Sequence, residues 1–266
     1  ASTPQAPFVG HGAHPCEQLR IPLLLYRETG KKDYYALFLS AFDKMKRYLS
    51  LSGSCKSDEL IGVHQGNVSP SDREGLNIGE CYPIPGIGYE YCSTTELMFS
   101  LNAALQLTGD LEYADYEEWM IHNAAMAARR QDGKAIQYLC SDNCYRAAKD
   151  VGDRWDYSPT HMDAAVCRAP NSGKIMPYHL SGMWMQDEEG GLCALYYGPC
   201  LLQTKCGGRA VEIEQRTRYP FEKRAEFHIR ADGSFRQNLS FRIPYWCSGA
   251  RLLLNGGEVP ARMVKR

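Results

Sequence analysis

The chain has 266 residues, 44% of them hydrophobic and 23% charged, with a formal net charge of -1. That composition supports a sizeable buried core and excludes a disordered chain, and the length fits two domains. The near-neutral balance, without a run of five or more Lys and Arg, argues against a nucleic-acid or anionic-membrane partner, and no apolar stretch approaches the roughly 18 to 20 residues of a membrane span; a soluble protein is expected, and since ASTPQAPFVG has no charged stretch followed by an apolar one, either the chain is intracellular or its leader has been removed.

From residue 14 to about 131, apolar side chains recur at helical spacing. CEQLRIPLLLYRETG (16–30) and KDYYALFLSAFDKMKRYLSLSG (32–53) each close on a glycine. STTELMFSLNAALQLTGD (93–110) and LEYADYEEWMIHNAAMAARRQDG (111–133) repeat the arrangement. A glycine after the last periodic residue is a helix stop signal, so the pattern predicts two helical hairpins joined by short turns. Residues 51–90 between them are rich in Gly, Pro, Ser and Asp, and so long a loop inside a compact domain points to function. A second loop is expected over 132–172, then a helix over 174–186 (KIMPYHLSGMWMQ) whose pattern Pro177 and Gly182 interrupt.

Beyond DEEGG the period falls to two. LCALYYGPCLLQTK, AVEIEQRTRYPF, RAEFHIRADGSFRQNLSFRIPYW and ARLLLNGG read as strands with turns at ADGS and NGG. Helices followed by strands predict an α + β chain in series, with a helical domain over 1–190 and a β-sandwich domain over 191–266.

Eleven cysteines, an odd number at irregular spacing, do not form a disulfide framework. Cys140 and Cys144 in CSDNC make a weak metal knuckle without a second matching pair, and read better as loop or core thiols. GYEYC places Glu90 and Cys92 two apart, and in an extended segment residues i and i+2 face one side. A carboxylate and a thiolate so placed are half of a zinc site. Cys167 in VCRAPN, also on a loop, is the natural partner; a thiol beside zinc and a cation loses its proton below the free value. The competing reading is a buried packing cysteine. Among the loop carboxylates Glu59, Asp72, Glu74 and Glu80, one acid/base group is expected and the rest are solvated charge. His11 and His14 in GHGAHPCEQLR either hydrogen-bond locally or hold a sugar hydroxyl.

Taken in order, GHGAHPCEQLRIPLLLYRETG, GYEYCSTTELMFSLNAALQLTGDLEYADYEEWMIHN, CRAPN and LSFRIPYWCSGARLLLNGG resemble glycoside hydrolase family 127, whose founding activity is β-L-arabinofuranosidase. The resemblance implies part of an (α/α)6 barrel followed by a β-sandwich, both incomplete in a fragment. It also implies a cysteine nucleophile bound to zinc (Zn2+), held by an E-x-C pair and a C-C-x-x-N motif. Glu90 and Cys92 match the pair. Counting back from Asn171 without a gap puts Cys167 on the first cysteine of the second motif, the nucleophile, and Arg168 on the second, a zinc ligand. Aligning VC to the cysteine pair would instead make Cys167 the second ligand and Val166 the lost nucleophile, at the cost of an insertion.

The implied reaction is retaining hydrolysis of an oligosaccharide or glycoside, with a glutamic acid that protonates the leaving oxygen and then activates water. Glu74, sixteen residues before Glu90, and Glu80 are the candidates for that role. Tyr138 resembles a substrate-contacting tyrosine, and His14 or His11 a sugar-binding histidine. Arginine is always cationic and cannot ligate zinc, which leaves Glu90, Cys92 and Cys167 as protein ligands, with water or His161 as a fourth. Two other readings stand beside this one: a sugar-binding or scaffold relative whose zinc site has decayed, and a lyase or epimerase on the same helical plan.

Overall fold

The structure, a computed structural model, describes residues 8, 10–55, 60–61, 89–140, 142, 157–158 and 167–264, with backbone alone for 60, 61, 157, 158, 168 and 169. The chain divides into two units, residues 1–109 with 116–180, and residues 110–115 with 181–266.

In the first unit, β1 (Gly10–His11) leads into α1 (Ala13–Gln18), so His14 lies within the helix and His11 on the strand before it. α2 (Arg20–Thr29) ends where Gly30, at φ 68, returns its N–H to Tyr26 O at 2.7 Å, a left-handed cap that glycine reaches without a Cβ clash. α3 (Lys32–Lys46) stops well short of the expected end at Gly53. The chain turns back there through a bridge between Leu49 and Cys55. Gly53 serves that turn at φ 95, and a Cβ on it would stand 3.2 Å from Met120 and Trp119 atoms.

α4 (Tyr91–Thr108) is the central helix, with twelve of its eighteen residues buried, and it packs on α1 and α2. A helix apolar or small on nearly every face belongs in a core. The single helix expected over 111–133 is two, α5 (Leu111–His122) and α6 (Ala124–Ala127), parted at Asn123.

Both expected loops contain short strands. β2 (Leu60–Ile61) pairs with β1, β3 (Tyr89–Glu90) with β5 (Leu139–Cys140), and β4 (Ile136–Gln137) with β6 (Tyr157–Ser158), all antiparallel. α7 (Arg168–Gly182) begins six residues before the predicted helix and ends before Trp184. Pro170 is tolerated in its first turn, where the missing N–H has no intrahelical acceptor.

The second unit follows with β7 (Trp184–Gln186), β8 (Leu192–Ala194), β9 (Cys200–Cys206), β10 (Arg209–Thr217), β11 (Ala225–Ala231), β12 (Leu239–Phe241), β13 (Leu252–Leu254) and β14 (Gly257–Val259). Trp184 to Gln186, expected at the end of a helix, is therefore a strand. β9, β10 and β11 form an antiparallel meander, and β8 lies between β7 and a parallel neighbour, β12. Along β10, Val211 and Ile213 are buried while Glu212 and Glu214 are partly exposed, the period of two expected of a strand with one wet face. The core joins Leu192, Cys206, Val211 and Ile213 to Trp184, Leu202, Phe227 and Leu239, drawing on both three-stranded sheets.

The predicted NGG turn closes the β13–β14 hairpin, with Asn255 at φ 49 and Gly256 at φ 87. Two successive positive φ values make the tight turn that suits strand twist. Arg242, of the RIPYW segment, is buried, with Nη1 2.5 Å from Asp115 Oδ1 and Nε donating to Leu195 O at 2.6 Å. The mixed α + β architecture thus agrees with the sequence pattern. No helix among the described residues is long and apolar enough to cross a membrane.

Candidate metal centre

Two helix starts meet in the first unit. Glu90 closes β3 in extended conformation, φ -82 and ψ 136, and Tyr91 opens α4. The strand is held by β5, which sets Glu90 opposite Leu139, and Tyr91 N donates to Tyr138 O at 3.1 Å. Glu90 and Cys92 therefore flank a strand-to-helix junction. The change of direction at Tyr91 aims both side chains at one point, which the i, i+2 rule for an extended segment does not describe.

Cys167 stands directly before α7, where its carbonyl accepts from Asn171 N at 3.2 Å and from Asn171 Nδ2 at 3.1 Å. VCRAPN, expected as a loop, runs straight into a helix. Donor atoms of Glu90, Cys92 and Cys167 all lie within 4.8 Å of one another. The two sulfurs are 2.9 Å apart, and Cys167 Sγ is 3.6 Å from Glu90 Oε1.

Around this trio, Tyr138 Oη lies 3.9 Å from Cys167 Sγ. His11 Nε2 lies 3.4 Å from Glu90 Oε2, and the His11 ring rests 4.9 Å from that of His14. Ala13, Cys92, Tyr138 and Leu139 form an apolar cluster against which the half-buried Cys167 packs.

The surroundings separate the proton affinities of these groups. Burial pushes the Glu90 carboxyl up to about 7, opposed by the Cys92 thiol and by His11. Cys167 moves the other way, down to about 6, because the Cys92 thiol donates to its sulfur; burial opposes this and Tyr138 reinforces it. The same bond raises Cys92, and burial raises Tyr138. Of the two sulfurs, Cys167 is the one favoured to ionise. Both lie at the N-termini of long helices, whose unpaired N–H groups favour negative charge.

The donor set suits zinc, which takes carboxylate and thiolate together. Among the described residues Glu90 Oε2 is buried without a hydrogen-bond partner, a state that a bound cation would relieve. Two Zn–S bonds of about 2.3 Å in a tetrahedron set sulfurs roughly 3.8 Å apart, so the residues fit the ion with a small opening of the pair. His11 stands outside the trio of donors and touches it through Glu90.

Of the sequence candidates, Glu90, Cys92, Cys167, Tyr138 and His11 come together, with His14 beside His11. Glu74 and Glu80 lie outside the described residues, as do Cys144, His161 and Val166, and so does the side chain of Arg168. Cys140 is buried on β5. Two polar residues that brace the centre carry no motif and were not singled out. Thr95 Oγ1 donates to Asn171 O at 3.2 Å. Arg129 donates from Nε to Tyr91 Oη at 3.2 Å and from Nη2 to Ser172 O.

Residues 191–265 match the family model described as the middle domain of GH127 β-L-arabinofuranosidases. The strand-rich part of the chain thus resembles the middle domain of that family. A GH127 β-L-arabinofuranosidase from Geobacillus stearothermophilus T6 superposes with a TM-score of 0.74 at 22% identity, over 96% of this chain and 39% of that one. A structure of a glycoside hydrolase gives 0.73 at 21% identity, over 96% and 43%. A GH127 β-arabinofuranosidase gives 0.74 at 17% identity, over 98% and 40%. At such identities these likenesses establish the fold. The chain spans about two fifths of the length of each family 127 structure or glycoside hydrolase so compared. No curated protein matches it.

Proposed function

We propose that this protein is a family 127 retaining glycoside hydrolase of the β-L-arabinofuranosidase type, acting on plant- or algal-type glycans with Cys167 as nucleophile. The reading rests on one observation above all, the convergence of Glu90, Cys92 and Cys167 at two helix starts. With it goes an architecture in two parts, a partial (α/α)6 barrel over 1–190 and a partial β-sandwich over 191–266. The core shared by the two three-stranded sheets and the two-fifths coverage of longer relatives support that architecture.

Glu90, Cys92 and Cys167 would hold a zinc ion, which when bound supplies a Lewis acid that keeps thiols ionised. Cys167 Sγ attacks the anomeric carbon, and the C–S bond forms as the glycosidic C–O bond breaks. Glu74 or Glu80, assigned by family resemblance, gives its proton to the leaving oxygen. The resulting carboxylate then takes a proton from water, whose oxygen displaces the sulfur. Two inversions at one carbon give retention. Tyr138, beside Cys167, and His11 or His14 are assigned to substrate hydroxyls.

Arg168, at the position of a second thiolate in the family motif, leaves three protein donors. That number belongs to catalytic zinc sites with an open position, whereas closed structural sites have four. The second reading, a decayed sugar-binding relative, draws on the same substitution.

Elemental analysis together with hydrolysis of a chromogenic β-L-arabinofuranoside separates the two. The hydrolase reading expects about one zinc per chain, turnover with retained configuration, and no turnover by Cys167→Ala. Saccharide binding without zinc or turnover would establish the decayed relative, and normal turnover by Cys167→Ala would remove the nucleophile assignment.

A further inference from the structure

Cys92 and Cys167 sit 75 residues apart in sequence, one in the first turn of α4 and one directly before α7. Their spacing is therefore set by whatever ties those two helix starts together. One tie is direct, the Thr95 hydroxyl on α4 donating to Asn171 O on α7. Another runs through Arg129, which follows α6 at a bridge to Ile136.

Arg129 reaches both segments with one planar group. Its Nε donates to Tyr91 Oη at 3.2 Å, its Nη2 donates to Ser172 O, and its guanidinium carbon lies 5.9 Å from the Tyr91 ring centroid. Tyr91 is the residue between Glu90 and Cys92, and Ser172 lies one turn into α7. Tyr91 is itself buried and donates to Ala125 O at 3.4 Å, so its ring is a fixed anchor. A rigid fork of N–H donors can address a hydroxyl and a carbonyl at once, which a lysine ammonium on a flexible stem does poorly.

We infer that Arg129 is a positioning residue that fixes the spacing of the Cys92 and Cys167 sulfurs, and through that spacing the affinity of the centre for a thiophilic metal ion. The clause about metal rests on the zinc reading given under Proposed function; the clause about spacing does not. Groups that orient metal ligands from behind change metal affinity by roughly 10- to 100-fold when removed.

The test uses Arg129→Met, Arg129→Lys and the milder Tyr91→Phe, which removes only the hydroxyl that Arg129 Nε donates to. In metal-free protein, phenylarsine oxide, which requires two adjacent thiols, reports the sulfur pair, with capture at Cys92 and Cys167 mapped by mass spectrometry. Zinc affinity comes from competition with a chromophoric chelator, the sulfur-to-cobalt absorption of cobalt-loaded protein reports the ligand geometry, and thermal unfolding is followed alongside.

Expected for Arg129→Met are a 10- to 100-fold loss of zinc affinity, slower arsenical capture and a weakened cobalt band. Lysine does not restore them, and Tyr91→Phe shifts each in the same direction by less. Wild-type zinc affinity and capture rate in the variants, with only the melting temperature lowered, would overturn the inference. If wild type takes up no zinc while its arsenical capture depends on Arg129, the zinc reading fails and the positioning role stands. Should Arg129→Met not fold, Arg129→Lys and Tyr91→Phe decide the matter.

Discussion

The helical unit buries Glu90, Ser93, Thr94, Thr95, Asn102, Glu117 and His179, whereas among described residues the β unit buries only Gln215 and Arg242 of its polar side chains. Each buried polar group costs free energy unless it finds a partner. The β unit satisfies its two, Gln215 donating to Tyr196 O and Arg242 to Leu195 O. In the helical unit, Glu90 Oε2 and His11 Nδ1 have no hydrogen-bond partner among the described residues. Among the described residues, unpartnered buried polar atoms thus gather in the helical unit, whereas the β unit has Trp184 Nε1 alone.

The contrast breaks most decisively at Cys167. Cys167→Ala should lower glycoside hydrolysis by roughly 10³-fold or more while the melting curve stays that of wild type; comparable loss of both would make the residue structural. Next comes acidity. In chelator-treated protein, the rate of Cys167 alkylation by iodoacetamide should reach half its plateau near pH 6, against the ordinary thiol value of 9. Because its proton affinity is lowered in the folded state, Cys167 is thiolate above that pH and loses its charge as pH falls through it. A half-point near 9 would show that the Cys92 thiol does not donate to it.

Ile213→Ala, in the dry core of the β unit, should cost about 2 to 5 kcal/mol of unfolding free energy. Zinc content should not change, and a coupled loss of zinc would erase the distinction between the units. The smallest expected effect is that of Thr95→Val, about 1 kcal/mol by urea unfolding for the lost hydroxyl, whose proton Asn171 O and Tyr91 O share. No change at all would mean that the Thr95 tie between α4 and α7 contributes nothing.

Local signals in the sequence located most elements. Gly30 and Gly109 end their helices in the left-handed conformation that only glycine takes cheaply. The alternation along 209–217 and the Asn255–Gly256 turn fixed a strand and a hairpin. What failed was non-local. Gly53 looked like a helix stop, yet it serves a turn against Met120, and nothing near it in sequence announces that neighbour. β3, β4, β5 and β6 are two residues each, too short for a period to register.

The same division holds at the site. Glu90, Cys92 and Cys167 were legible because their residue types are those of a zinc site. Their geometry was not, since it depends on a strand-to-helix junction that spacing alone mistook for extended chain. Arg129 and Thr95 were invisible, because an arginine in ARRQDG and a threonine within a helix have many reasons to be there.

The sulfur pair also bears on how the protein comes to be folded. Bringing Cys92 to Cys167 closes a segment of 75 residues, and such long-range closure follows the formation of local helices and hairpins. The centre therefore takes shape after the helices that frame it, and arsenical capture of the sulfur pair during refolding would time that closure.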